Sequence, residues 1–309
     1  MELAAIILNW NAAPDTIRCV QDLSLWEKVR PMIWVVDNGS TDMSVEAISC
    51  YCPHVYLIRN PTNLGFAGGN NRGIQEVLSA GHCPVLLLNN DAYITEGDVI
   101  LLLETLQSDP RIGFVGPLLF ADRENRLLAA GGRNPVLHHH SHILTLKPGP
   151  PIQEVDYVVG TVILVRPEVF HQVGLLDEAY FFSMEVADLC MRARRKGYVS
   201  VVDTRARAYH NLHRSSHLRE TLHTYYIIRN RFLFIRKFYS NMRIPLAGFW
   251  TLYSLALYLK LRLVWKPAAA RAVGLGLTDG LRGRFGGQNE RVASLCPGIR
   301  PLSEDRQHV

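Results

Sequence analysis

Asn89-Asn90-Asp91 follows directly on an apolar run, Val85-Leu86-Leu87-Leu88. A buried strand ending this abruptly delivers two amides and a carboxylate to the lip of a sheet, and in open α/β sheets ligands bind outside the carboxyl ends of the strands. A carboxylate held there on a rigid element suits a hard divalent cation that carries phosphates. The same Asp could equally cap a turn or a helix. Two other apolar runs end in the same way: residues 3–8 in Asn9-Trp10-Asn11, and residues 32–36 in Asp37-Asn38-Gly39-Ser40-Thr41-Asp42. The stretch Gly65-Phe66-Ala67-Gly68-Gly69-Asn70-Asn71-Arg72-Gly73 reads as a glycine-rich loop. Such a loop lets the backbone approach a phosphate, or simply turns tightly into a helix. Further on, Glu185 and Asp188 stand three residues apart and share a helix face, and Asp188 and Arg192 have the spacing of an ion pair.

The elements that must position these groups follow from the apolar pattern. Strand-like runs at 3–8, 32–36, 55–58, 85–88 and 112–115 alternate with helix-length segments at 16–25, after residue 65, and at 98–107. That alternation predicts a parallel sheet covered by helices on both faces. Residues 118–155, with Gly131-Gly132, four histidines (His138, His139, His140, His142) and Pro148-Gly149-Pro150-Pro151, read as an irregular excursion containing a hairpin, a solvated loop in preference to a metal site. Residues 158–165 read as a strand with Gly160 inside it, 199–202 and 206–210 as two short strands, and 217–239 as a long basic helix. Residues 244–259 carry no charge and precede Lys260, Arg262 and Lys266. At about 20 residues needed for a membrane span, this run is better read as an interfacial or buried amphipathic helix. The chain from Gly286 reads as a loose tail. The division expected is a catalytic domain over 1–240 and a helical, membrane-associating extension over 241–309.

With 309 residues and 48% hydrophobic content, the chain can bury a full core. The six cysteines show neither a CxxC pair nor disulfide-rich spacing, and the first residues lack a signal-peptide pattern, so buried free thiols in a reducing cytoplasm are expected. The net charge of +5 is concentrated in 191–243 and 260–284, which fits an anionic substrate, anionic lipid or nucleic acid. Zinc-finger spacing and RNA-binding aromatic motifs are missing from the sequence, which disfavours nucleic acid. No GxGxxG follows the first run, which disfavours a dinucleotide-dependent dehydrogenase.

Taken in order, Asn-Trp-Asn at 9–11, Val-Val-Asp-Asn-Gly-Ser-Thr-Asp at 35–42, Asn-Leu-Gly-Phe-Ala-Gly-Gly-Asn-Asn at 63–71, Leu-Leu-Asn-Asn-Asp at 87–91, the block 174–198 and Arg229-Asn230 resemble family 2 glycosyltransferases, in particular bacterial rhamnosyltransferase-like enzymes. The resemblance implies a GT-A fold (a Rossmann-like nucleotide-diphospho-sugar transferase), with a C-terminal helical extension here. It implies inverting transfer of a sugar, such as rhamnose or another hexose, from a nucleotide-sugar donor to a saccharide or lipid-linked acceptor in cell-envelope polysaccharide synthesis. Mg²⁺ or Mn²⁺ is the implied cofactor, and the cytoplasmic face of the membrane the implied location.

Carried over residue by residue, Asp37 matches the acid that binds the donor's base, and Asp42 either joins it or caps the next helix. Asp91 matches the last acid of the metal-binding DxD motif, with Asn89 replacing the first, and His210 matches a histidine that completes the metal shell. Asn9, Asn11, Asn38, Gly65, Gly68, Asn70, Arg72, Asn89 and Asn90 fall in the donor-binding segments. Where the family has Glu-Asp-x-Asp, this chain has Glu185-Val186-Ala187-Asp188. Glu185 is the expected general base and Asp188 the alternative, or the partner of Arg192. His217 and Arg229 are expected to contact phosphate or acceptor. The two departures, Asn89 and Val186, keep open a relative that binds nucleotide-sugars without catalysis.

Overall fold

The computed structural model describes residues 1–81, 83–121, 126–146, 148–211 and 217–296. They pack as two compact units, one formed by Met1–Asp177 with Val186–Leu212, the other by Glu178–Glu185 with the chain from 213 onward. The helix at 217–238 therefore belongs with the C-terminal helices, not with the domain expected to end at 240.

The first unit is built on one sheet. Its strands are β1 (Glu2–Asn9), β2 (Arg30–Asp37), β3 (Tyr56–Arg59), β4 (Val85–Asn89), β5 (Ala92–Ile94), β6 (Ile112–Ala121), β7 (Leu127–Ala129), β8 (Ile152–Val155), β9 (Val162–Val165) and β10 (Val199–His210). The order is β3-β2-β1-β4-β9-β6-β10-β5, with β7 on β6 and β8 on β10. β3, β2, β1 and β4 are parallel, as is the β6–β10 pair. β9, however, runs antiparallel to both its neighbours, and β5, β7 and β8 are antiparallel too. The sheet is thus mixed where a mostly parallel one was expected. A parallel neighbour needs a crossover, usually a helix, and the described residues between β6 and β9 contain none.

Helices cover both faces. α1 (Ala13–Ser24), α2 (Ser44–Tyr51) and α4 (Glu96–Ser108) share a core with Leu3, Ala5, Ile7, Val35, Leu86 and Leu88. Pro14 starts α1, and Thr95 caps α4 by accepting from the Asp98 amide at 3.1 Å. On the opposite face lies α3 (Gly65–Ala80). The glycine-rich stretch is therefore no loop; it forms the first turns of this helix. A Cβ on Gly69 would come within 2.5 Å of Leu8 Cδ1, and one on Gly73 within 2.7 Å of Ile6 Cγ2, so these glycines let α3 press against β1.

α5 (Pro167–Val173) and α6 (Glu185–Arg194) follow β9. Gly160 lies in the turn before β9, not within a strand, and 199–210 is one strand with an irregularity between Asp203 and Arg207. The β6–β7 pair is the hairpin expected in the excursion.

In the second unit, α7 (His217–Phe238), α8 (Arg243–Leu263), α9 (Pro267–Arg282) and α10 (Asn289–Leu295) enclose a core of Phe181, Leu222, Tyr225, Tyr226, Ala272, Val292 and Cys296. The segment after Gly286 is thus helical over 289–295 with Val292 fully buried, not a loose tail from that point.

Candidate active site

The register of the parallel strands sets the site. Asn9 pairs with Asp37 and Leu8 with Asn89, so β1, β2 and β4 run out of apolar residues along one sheet edge. There the polar side chains are wired to each other. Asn9 Nδ2 donates to Asp37 Oδ1 at 2.8 Å, Thr16 Oγ1 donates to Asn9 Oδ1 at 2.8 Å, and Asn90 Nδ2 donates to Thr16 Oγ1 at 3.0 Å. The Ser40 amide donates to Asp37 Oδ2 at 3.0 Å. The Asp37 carboxylate is buried with a donor on each oxygen, and a carboxylate has roughly four acceptor sites. Asn11 closes the same corner: its Oδ1 accepts from the Thr41 amide at 2.8 Å.

Asn38 is a second hub. Its Oδ1 accepts from Asn60 Nδ2 and the Leu64 amide, both at 3.1 Å, and its Nδ2 donates to Asn63 Oδ1 and the Gly65 carbonyl. It staples the end of β2 to the start of α3. Several expected donor contacts thus spend their polarity on the scaffold. Asn9 and Asn38 are buried in these networks, and Asn70 Nδ2 bonds the Phe66 carbonyl within its own helix. Asp42 Oδ1 accepts from the Ser44 amide two residues on, while Met43 holds the N-cap position of α2. Gly65 and Gly68 are buried in the first turns of α3, while Arg72 is exposed.

Asp91 and His210 are brought together from 119 residues apart. β5 pairs antiparallel with the end of β10, aligning Ala92 with His210. His210 Nε2 then lies 3.1 Å from Asp91 Oδ1, and the Asn211 amide donates to the Asp91 carbonyl at 3.0 Å. A cavity of about 230 Å³ opens here, lined by Arg18, Asp22, Asp91, Tyr93, Tyr209 and Asn211 among others. Burial pushes the nearby Cys19 thiol up to about 12, with Asp22 adding to the effect. Among the described residues no three His, Cys, Asp or Glu side chains cluster. The two donors Asp91 and His210 could hold a divalent cation only together with ligands from outside the chain. An oxygen–nitrogen set of this kind is open to Mn²⁺ as well as Mg²⁺.

Asp188 and Arg192 form the ion pair that their spacing suggests, at 2.6 Å, with Asp188 fully buried. Arg192 also donates to the Val173 and Leu175 carbonyls, so the pair anchors the chain between α5 and α6. Val186, where the family has its second acid, packs against Gly160, on which a Cβ would come to 3.0 Å from Val186 Cγ2.

Glu185 is buried and belongs to the second unit. It is preceded by three non-glycine residues with left-handed backbone: Phe181 (φ 62°), Ser183 (φ 70°) and Met184 (φ 74°). Each costs about 1–2 kcal/mol relative to ordinary backbone. No sequence pattern announced this strain.

Arg229 does not serve the expected phosphate contact. It is fully buried, and its guanidinium donates to the carbonyls of Ala179, Tyr180 and Gly286 and lies over the Tyr226 ring at 4.7 Å. The His217 side chain lies outside the described residues. Much of the remaining positive charge in 191–243 is also spent internally: Arg194 on Asp156, Arg205 on Asp203, and Arg231 over Trp250 at 3.8 Å.

Compared with known proteins, residues 4–174 match the description "Glycosyl transferase family 2". The chain belongs to that family, and with it to the glycosyltransferases that use nucleotide sugars. It is 28% identical over 275 residues to N-acetylglucosaminyl-diphospho-decaprenol L-rhamnosyltransferase of Mycobacterium tuberculosis, covering 81% of this chain and 89% of that one. It is 29% identical over 258 residues to the low-salt glycan biosynthesis hexosyltransferase Agl10 of Haloferax volcanii, covering 78% and 77%. Among solved structures, mannosyltransferase PcManGT of Pyrobaculum calidifontis, in complex with GDP-Man and Mn²⁺, matches with a TM-score of 0.59 at 13% identity, over 91% of this chain and 87% of that one. GalNAc-T7 with UDP, GalNAc and Mn²⁺ matches with a TM-score of 0.56 at 16% identity, over 68% of this chain and 44% of that longer chain. The fold is GT-A.

Proposed function

We propose that the protein transfers a sugar, with inversion at the anomeric carbon, from a nucleoside-diphosphate donor to a hydroxyl of a lipid-linked saccharide in cell-surface glycan synthesis. The observation that carries this reading is the convergence of Asp91 and His210 at the carboxyl edge of the sheet. The names of the rhamnosyl- and hexosyltransferase relatives support the donor and acceptor classes, with rhamnose the first sugar to try. Asp37, fixed by Asn9 and Ser40, has acceptor capacity left for a base N–H of the donor. Asp91 and His210 would hold a divalent cation, Mg²⁺ or Mn²⁺, which would supply positive charge for the leaving diphosphate. With Asn89 in place of an acid, the 89–91 segment contributes one carboxylate, so cation affinity rests heavily on the donor's own phosphates. Glu185 takes the proton from the attacking hydroxyl, and Asp188, committed to Arg192, keeps α6 in place.

The test is thermal stability in dTDP, UDP and GDP, each with and without Mn²⁺. A ligand at 100 times its dissociation constant stabilises by about 2.7 kcal/mol. An upward shift with one nucleotide that needs Mn²⁺ and disappears in Asp91→Ala is expected. No shift with any of the three would overturn the reading.

The membrane part of the proposal is supported by α8. Ile244, Phe249, Leu252, Leu255, Leu259 and Leu263 are exposed on it, while Trp250 and Ser254 on the other side are buried. Its far end carries Lys260 and Arg262, followed by Trp265 and Lys266, and there is no carboxylate from 243 to 266. An apolar outer face with basic and aromatic flanks suits the surface of an anionic bilayer, on the cytoplasmic side where a nucleotide-sugar donor would be met. Sedimentation with phosphatidylglycerol vesicles at low salt, lost in Leu252→Glu/Leu259→Glu, is the expected result. Equal recovery with and without vesicles removes this part.

A further inference from the structure

The segment before Glu185 is held by two adjacent residues of α7. Asn230 is fully buried, and its Nδ2 donates to the carbonyls of Tyr180, Phe182 and Ser183 at 3.1, 2.8 and 2.8 Å. Its Oδ1 accepts from Arg229 Nε at 2.9 Å, which fixes the amide so that its NH₂ faces the segment. Arg229 itself donates to Ala179 and Tyr180 just upstream and to Gly286 across from them. Its guanidinium is sandwiched by the rings of Tyr225, Tyr226 and Phe285, and Phe181 stacks on Tyr226 with ring centres 5.4 Å apart. A buried arginine and a buried asparagine thus spend their donors on the carbonyls of one short stretch, 179–183, and of Gly286. Within that stretch and one residue beyond it stand the three left-handed residues, the last directly before Glu185. Strained backbone of this kind persists where its surroundings over-determine it, and it gathers at functional sites.

We infer that Arg229 and Asn230 are positioning residues: by imposing the left-handed backbone at Phe181, Ser183 and Met184 they set the direction of the Glu185 carboxylate for proton abstraction. This rests on the reading of Glu185 as the general base. A base works only within hydrogen-bond reach of its proton, and a misplacement of about 1 Å can cost about a hundredfold in rate. The inference assigns Asn230 an effect on turnover rather than on donor binding.

The experiment measures nucleoside diphosphate release from dTDP-rhamnose, UDP-glucose, UDP-N-acetylglucosamine and GDP-mannose, and continues with the donor that the unsubstituted protein turns over fastest. Asn230→Ala, verified as folded by circular dichroism, is expected to lower kcat about tenfold or more, with KM for the donor within about threefold. Because Asn230 is buried, a second pair of variants acts on the partly buried Met184 and leaves α7 intact. Met184→Val opposes a positive φ, and Met184→Gly accepts it. Valine should depress kcat and glycine preserve it, and glycine should restore part of the kcat lost in Asn230→Ala. A folded Asn230→Ala with unchanged kcat, a loss expressed in KM, or Met184 variants that behave alike would each overturn the inference. Glu185→Gln separates the two levels. If it abolishes turnover while Asn230→Ala and Met184→Val do not, the base reading stands and the positioning inference fails. If Glu185→Gln turns over normally, both fall.

Discussion

The edge formed by β1, β2 and β4 and the segment before α6 are both held by hydrogen bonds from buried polar side chains, one around the Asp37 carboxylate and the other along the backbone that leads to Glu185, and they are held in opposite ways. At the strand ends the buried amides of Asn9 and Asn38 bond to other side chains and loop amides, and Asp37 itself lies in a regular strand. Before Glu185 the buried groups bond backbone carbonyls, and the backbone is left-handed at three residues. In the first region, deleting a side chain removes hydrogen bonds and leaves buried partners unpaired. In the second it also removes what forces the chain along an unfavourable path, so the geometry changes beyond the site of substitution. Substitutions in the first network are therefore expected to read out in stability, and those in the second, on the proposed role of Glu185, in turnover.

The largest expected effects sharpen this contrast at the reacting groups. Glu185→Gln should reduce transfer by about 10²–10⁴-fold, the usual contribution of a general base. Asp91→Ala should cost on the order of 10²-fold or more through lost charge stabilisation. Steady-state kinetics on folded variants decides both; turnover within a factor of two in either case would remove that residue from the mechanism. Next comes stability. Asn9→Ala leaves Asp37 Oδ1 without its Asn9 donor and Thr16 Oγ1 without its acceptor in Asn9, so urea unfolding should show a loss of about 2–3 kcal/mol. A neutral result would mean that the strand-end network is relaxed by water. Gly73→Ala should lose about 1–3 kcal/mol, because the new methyl meets Ile6 and Val36. If it stabilises instead, α3 has room to retreat from β1.

The smallest effect concerns pH. Burial raises the Asp203 carboxyl, but hydrogen bonds from Arg205 and Thr105 outweigh it and leave it below its ordinary value of 3.8. A folded value below the unfolded one means stabilisation that is complete above about pH 4–5 and is lost as pH falls through the folded value. Asp203→Asn should flatten that acid limb of the urea midpoint and leave the Asn9 network untouched. An unchanged slope would show that other carboxylates carry it.

Much of this molecule was legible from its residues. The runs ending at Asn9, Asp37 and Asn89 mark β1, β2 and β4 and the shared edge, because period and abrupt polarity changes are local properties of the chain. The Asp188–Arg192 pair followed from helix spacing. The glycine-rich segment reads as a loop or a tight turn into a helix, yet it forms the first turns of α3, because a helix pressed against a sheet and a phosphate cradle both require missing side chains, and only packing distinguishes them. Arg229, expected to contact phosphate or acceptor, is instead surrounded by backbone carbonyls, since an arginine's type says nothing about whether carbonyls will surround it.

The local pattern of residues marks where β1, β2 and β4 end and which polar residue types sit there. Tertiary contacts alone decided that β9 would run antiparallel between β4 and β6 and that Asn230 would hold the backbone before Glu185, and they realise across 119 residues the meeting of Asp91 and His210 that the resemblance implies. The reason is physical. Periodicity and capping act over a few residues, whereas strand partners, converging ligands and imposed backbone strain depend on which distant segments fill the same space.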